Sequence, residues 1–176
     1  MAQSAAESMD GRTIERVFAS PLQRAQESAE PWAEKFDLEI ITDERLIEPT
    51  NRFEGGRFEF GPQVLLKPKS WPWVVNPWLP SWGEPYQSVI KRMMAAIEAA
   101  WHSADGGEVV MVSHQMPIVM VQRHVAGLKP FHDPRKRRCS LSSITTLTYD
   151  GTRFVQVGYT EPAAALLAES IDQGAV

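Results

Sequence analysis

At 176 residues the chain is long enough for one domain with a real hydrophobic core. Its formal charge of −4 carries no nucleic-acid signature, and its single cysteine, Cys139, excludes an intramolecular disulfide or a thiolate metal cluster. Neither a signal peptide nor an apolar run of membrane length is visible, so a reduced cytosol fits, with no membrane partner.

In chain order, the first informative stretch follows the turn-like Asp10-Gly11. Arg16 to Ala19 is short and apolar enough for a strand. Ser20 then reads as a helix N-cap, Pro21 as the first helical residue, and Gln23, three residues after Ser20, as the other half of a capping box. This places Arg24 in the first helical turn, near unpaired backbone N–H groups and the positive end of the helix dipole, a physical setting for a phosphate. A solvated helix arginine is the plainer alternative.

From Phe53 to Trp82 the chain carries four tryptophans (Trp71, Trp73, Trp78 and Trp82), several prolines and few helix signals. So many aromatic residues argue against disorder, and the segment reads as an ordered flap beside a pocket mouth; core or interface cover is the alternative. Glu84-Pro85 opens a helix with Tyr86, Val89, Ile90, Met93, Ile97 and Trp101 on one face, ending near Gly106.

Val109 to Val112 is a continuous apolar run, bounded by Gly106-Gly107 and Ser113-His114, and suits a strand buried on both faces of a parallel sheet. Pro117 is a plausible helix start, with helical spacing from Ile118 to Val125 and a stop at Gly127. His114 thus falls at the C-terminal end of a strand, the edge at which open α/β sheets bind ligands; a core or capping histidine is the alternative. Pro134-Arg135-Lys136-Arg137-Arg138 is a local basic run, read as a solvated loop, or else as a rim attracting an anionic substrate. Ala163 to Ala168 reads as a short terminal helix.

Two strand-to-helix junctions in one sheet can build one anion pocket, and together they resemble the histidine phosphatase (phosphoglycerate-mutase-like) superfamily. Ser20-Pro21-Leu22-Gln23-Arg24-Ala25-Gln26-Glu27-Ser28-Ala29 resembles that family's Ser-Pro-Leu-x-Arg-Ala-x-x-Thr-Ala segment. Asp43-Glu44-Arg45-Leu46-Ile47-Glu48, followed by Phe53-Glu54-Gly55, resembles its acid-bearing segment. Trp82-Gly83-Glu84 resembles the entry to its next helix, Val112-Ser113-His114 its second histidine, and Ser140 to Tyr149 its late strand. The matches occur in the family's order and span nearly the whole chain.

The resemblance implies a three-layer α/β/α domain over residues 1–176 with a mostly parallel sheet, including the segment 53–82 as a flap or insertion. It also implies a phosphohistidine mechanism on a small phosphorylated metabolite, or binding of inorganic phosphate, with no cofactor and no metal. By that resemblance Arg24 clamps phosphate beside Ser20, His114 donates to or stabilises the transferring group, Glu48 is the proton donor, and Glu84 and Trp82 lie on the substrate side.

The family's nucleophile belongs to an Arg-His-Gly motif ending its first strand, and this sequence contains no Arg-His-Gly. The pair Arg123-His124 lies inside an apolar-periodic helix and is rejected for that role. Met1 to Met9 resembles the latter part of the family's first helix, so the fold is expected to be N-terminally incomplete and the listed stretch inactive, with a truncated or wrongly started gene as the favoured cause. A noncatalytic phospholigand-binding or interaction domain and a phosphoglycerate mutase are the other readings. A swapped or rearranged homodimer is one way to complete the short form.

Overall fold

The structure is a computed structural model that describes residues 1–49 and 83–168. The Trp-rich stretch 53–82, and with it Trp82, lies outside the described residues.

The elements run α1 (Ala2–Glu7), β1 (Ile14–Ala19), α2 (Gln23–Phe36), β2 (Ile40–Thr42), a 3-10 turn (Glu44–Leu46), α3 (Tyr86–Ser103), β3 (Glu108–Val112), α4 (Gln115–Val125), a second 3-10 turn (Pro134–Lys136), β4 (Ile144–Tyr149), β5 (Phe154–Thr160) and α5 (Ala164–Ala168). Strands β2, β1 and β3 form a parallel sheet with β1 in the centre, and β4 pairs antiparallel with β5. The expected α/β architecture with a parallel sheet is therefore present.

Alternation along the strands sorts the side chains into two cores. Val17 and Ala19 of β1 pack with Ala5 and Ala6 of α1 and Ala29 and Trp32 of α2, and Val110 and Val112 of β3 join them. On the opposite face Phe18 and Met111 meet Val89, Ile90 and Met93 of α3 and Met116, Val119 and Met120 of α4, with Leu46 buried among them. Helices thus cover both faces of the sheet. Strand β4 extends the same layer: its Ile144 joins Val110 and Val112 on one face, and its Leu147 joins Met111 on the other. It nevertheless makes no ladder with β3.

Several expectations need correction. The first helix begins at Gln23 with Leu22 as its N-cap, not at Pro21. Ser20 does not form a capping box: its N–H donates to the carbonyl of Val112, and the Gln23 amide bonds Glu27 within the helix. The Ser20 hydroxyl accepts locally from the Leu22 N–H at 3.4 Å, as a cap would, and also meets His114 Nε2, 94 residues away, at 2.8 Å. Pro117 is the third residue of α4 rather than its start. The end of α4 is as read: Gly127, at φ 68°, follows Ala126, and the N–H groups of Gly127 and Leu128 return to the carbonyls of His124 and Arg123, a Schellman closure.

Strand β3 is half-buried throughout rather than enclosed, because its outer edge has no partner strand among the described residues. Trp101 is 42% exposed, since Ala96 and Ala100 occupy the inward face of α3 near its end. Its ring instead lies 4.7 Å from that of Tyr149. No helix among the described residues is long and apolar enough to cross a membrane.

Candidate active site

Adjacent parallel strands β1 and β3 end at the same edge of the sheet, with Ala19 level with Val112. The next residues of each strand are Ser20 and Ser113-His114. His114 is 4% exposed and Ser20 is fully buried, the two buried polar side chains among the described residues. His114 Nε2 lies 2.8 Å from Ser20 Oγ, and Arg24 Nε donates to His114 Nδ1 at 3.3 Å. Because Nδ1 accepts from a guanidinium, the proton of the neutral ring resides on Nε2, which donates to the Ser20 hydroxyl. Arg24 sits in the first turn of α2, as the sequence predicts, and no hydrogen bond among the described residues engages its two Nη nitrogens.

Glu48 enters from the chain after the first 3-10 turn. Leu46 is wholly buried, and its carbonyl accepts from Ser113 Oγ at 2.7 Å, which ties the acidic segment to the end of β3. Glu48 Oε2 thereby comes to 3.9 Å from His114 Nδ1. Four predicted residues, Ser20, Arg24, Glu48 and His114, are gathered at one sheet edge.

Glu84 is engaged at the start of α3. Its carboxylate pairs with Arg92 at 3.0 Å and accepts from Ser88, bracing the start of α3. Arg92 also donates to the carbonyl of Arg45 at 2.6 Å, so Glu84 steadies the acidic segment through Arg92. His124, rejected as a nucleophile, is exposed in the last turn of α4.

Sequence reasoning missed Arg137. The basic run is not uniformly solvated: Arg137 turns inward, donating to Gln115 Oε1 at 3.3 Å and to His132 Nε2 at 3.0 Å, close enough to feel the charge of Glu48 and the phenol of Tyr86. His132 Nδ1 lies 2.9 Å from the carbonyl of Pro130, so the neutral ring carries its proton there and accepts from Arg137 at Nε2. Burial holds His132 below its ordinary titration range. The run Arg135 to Arg138 gives no sign of which member is turned inward.

Burial, reinforced by the nearby charges of Arg24 and then Arg92, depresses the His114 pKa to about 4. The ring is therefore neutral at pH 7 in the empty pocket. An unfolded histidine takes up its proton near pH 6.5, so the unfolded chain binds more protons than the folded one between the two values. Stability is expected to fall as pH drops from about 6.5 to about 4, and to be regained as it rises. Urea titrations across that range should show this loss in the parent chain and a smaller loss in His114→Gln. Equal slopes would remove His114 as the source. No group of three or more His, Cys, Asp or Glu side chains is placed to hold a metal ion among the described residues.

Comparison with known proteins decides the family. The histidine phosphatase superfamily (branch 1) profile matches residues 1–162. The chain belongs to that superfamily. It is 46% identical over 163 residues to the uncharacterized protein Rv0525 of Mycobacterium tuberculosis, covering 93% of this chain and 81% of that one. Among solved structures it is similar to YhfR of Bacillus stearothermophilus, with a TM-score of 0.70 at 20% identity over 88% of this chain and 78% of that one. It is also similar to a mycobacterial glucosyl-3-phosphoglycerate phosphatase, Rv2419c, in complex with VO3, with a TM-score of 0.66 at 22% identity over 89% and 80% of the two chains. At those identities the structural likeness speaks for the fold, a phosphoglycerate-mutase-like α/β architecture. With the superfamily, it supports a phosphatase-like role.

Proposed function

We propose that this chain carries the phosphate-holding part of a phosphomonoesterase site for a small phosphorylated metabolite. The carrying observation is the convergence of Arg24, His114, Ser20 and Glu48 where β1 and β3 end. The Nη groups of Arg24 would clamp two equatorial phosphoryl oxygens, and His114, protonated once a dianion lies beside it, would add a positive charge where negative charge builds. In the first step the ester P–O bond breaks as a P–N bond forms to a histidine, and Glu48 gives its proton to the departing alkoxide. Water then attacks phosphorus, the P–N bond breaks, and phosphate leaves. The VO3 complex of Rv2419c is consistent with a phosphate-like occupant of such a fold.

The nucleophile in this reading comes from a segment ending in Arg-His-Gly, which residues 1–176 do not contain. The test is hydrolysis of p-nitrophenyl phosphate. The 176-residue chain should turn over no faster than its His114→Ala variant. The same chain extended by upstream in-frame codons encoding such a strand should show turnover that His114→Ala greatly reduces. Clear His114-dependent turnover by residues 1–176 alone would place the nucleophile among them instead. Specific phosphate binding with no turnover in either form would favour a noncatalytic phospholigand-binding domain, a reading kept by the absence of Arg-His-Gly. Transfer to a second phosphoglycerate hydroxyl rather than to water would indicate a mutase.

A further inference from the structure

Away from the His114 pocket, the C-terminal half of α4, the turn after Asp133 and strand β5 border an open cleft of about 320 Å3. Arg123, Lys136, Arg137 and Arg138 line it, and Asp133 is the one carboxylate on its wall. Both oxygens of Asp133 are engaged by Arg135, at 3.0 and 2.9 Å, and Arg135 is not part of the lining. Four cations thus share a cleft in a chain whose overall balance is −4.

What positions these cations is largely uncharged. Arg123 donates to the carbonyl of Lys129 at 2.6 Å and toward that of Phe131 at 3.4 Å. Arg137 is held by the Gln115 amide oxygen and the neutral His132 ring. The Arg138 guanidinium carbon lies over the Tyr159 ring, 4.4 Å from its centre, a cation–π seat. Glu161, the carboxylate near Arg138, takes hydrogen bonds from the Tyr159 hydroxyl at 2.6 Å and Ser140 at 2.9 Å. Glu48 also acts on Arg137 and offsets part of its charge, so the positive character of the cleft rests on Arg123, Lys136 and Arg138. Carbonyls and a ring face fix the directions of Arg123 and Arg138 without cancelling their charge. Lys136 and Arg138 are exposed, so the cleft opens to solvent.

We propose that this cleft is a second anion site, separate from the Arg24–His114 pocket, that binds a small molecule carrying two or more anionic groups, as in a diphosphate. Its volume is at the lower end of small-molecule sites, larger than one phosphate needs. Arg123, Lys136 and Arg138 together call for more than one negative group, and planar guanidiniums suit paired phosphoryl oxygens. Arg137 faces this cleft while bonding Gln115, the residue after His114, so an occupant here lies one side chain from the phosphatase pocket.

The test uses the 176-residue chain, isotopically labelled, titrated with inorganic pyrophosphate at about 0.15 M salt, where diffuse surface attraction is largely screened. Saturable shifts centred on Gln122, Gln156 and Tyr159 are expected. Replacing the exposed Lys136→Gln and Arg138→Gln together should weaken that binding tenfold or more, whereas Arg24→Ala should leave it unchanged. The single Lys136→Gln variant, which touches neither Tyr159 nor Glu161, guards against a folding defect and should give a smaller loss in the same direction. The proposal falls if the cleft resonances do not saturate, or if shifts spread over every basic side chain. It also falls if the affinity follows Arg24→Ala and ignores the Lys136 and Arg138 substitutions. Because no turnover is measured, failure of the phosphatase reading leaves this result intact, and the reverse holds too.

Discussion

Arg24→Ala should weaken binding of phosphate or sulfate to the pocket by roughly tenfold to a hundredfold, the worth of a charge-assisted, bidentate clamp. The loss is specific because Arg24 does not hold the fold together: among the described residues its side chain bonds His114, at 3.3 Å. The pH dependence of the same titration reads out His114. In the empty pocket its pKa is about 4, because burial and two arginines oppose its charge. A dianion beside the ring reverses that balance and raises the pKa, so binding takes up a proton between the free and bound values. Affinity for sulfate, whose own charge is constant near neutrality, should therefore fall as pH rises through the bound-state value. His114→Gln should flatten the profile. Isothermal titration of sulfate with the parent chain, Arg24→Ala and His114→Gln checks both points; a parent profile that is flat, or binding untouched by Arg24→Ala, would sink the pocket.

Leu46→Ala is expected to cost about 2–5 kcal/mol of stability, a large share of the roughly 5–15 kcal/mol that holds a typical domain folded. Leu46 is completely buried against α3 and α4, and its neighbours there are methionines, valines and a tyrosine with little room to collapse. The same residue anchors the site. Its carbonyl receives Ser113 Oγ, and Glu48 follows two residues later. A urea midpoint well below that of the parent is the expected measurement, and a nearly unchanged midpoint would show that the cavity refills. In mild conditions, where the variant remains folded, phosphate affinity should suffer less than with Arg24→Ala, because the Arg24 and Ser20 contacts to His114 do not pass through Leu46.

The parts of this site that were legible in the sequence share one property: their position follows from local geometry. Arg24 and His114 each follow an apolar strand by a few residues, and an apolar run that stops at a polar residue fixes which end of the sheet that residue reaches. Ser20 was placed correctly, and its hydroxyl has the local N–H partner of a cap together with a second partner that the sequence did not show. A serine before a proline looks like a helix cap whatever lies across the fold, and only the tertiary approach of His114 gives its hydroxyl a second use. Glu48 has no periodic signal of its own; it entered through resemblance, and Leu46 explains why it arrives. Glu84 carried a carboxylate at a suggestive spot, yet Arg92, eight residues on, absorbs it. Arg137 could not be singled out among four consecutive basic residues, because its turn inward depends on Gln115 and His132, which are distant in sequence. Trp101 was read onto the inward stripe, but Ala96 and Ala100 hold that face near the helix end, and its ring meets Tyr149 and Phe154 while remaining 42% exposed.

The half-open sheet has a polarity that constrains whatever might complete it. Glu108 N–H bonds Thr13 and the Val112 carbonyl accepts from Ser20, so alternate residues of β3 are turned toward β1. Val109 and Met111 are the ones whose backbone groups face outward, toward the side on which β4 continues the layer. A guest strand there is confined to a two-residue repeat: it can slide only in steps that keep its own donors opposite Val109 and Met111, and an odd step would turn its side chains inside out. Direction then decides its chemistry. Running parallel to β3, its last residue would arrive beside His114; running antiparallel, it would bring its first residue there and carry its end to the opposite rim.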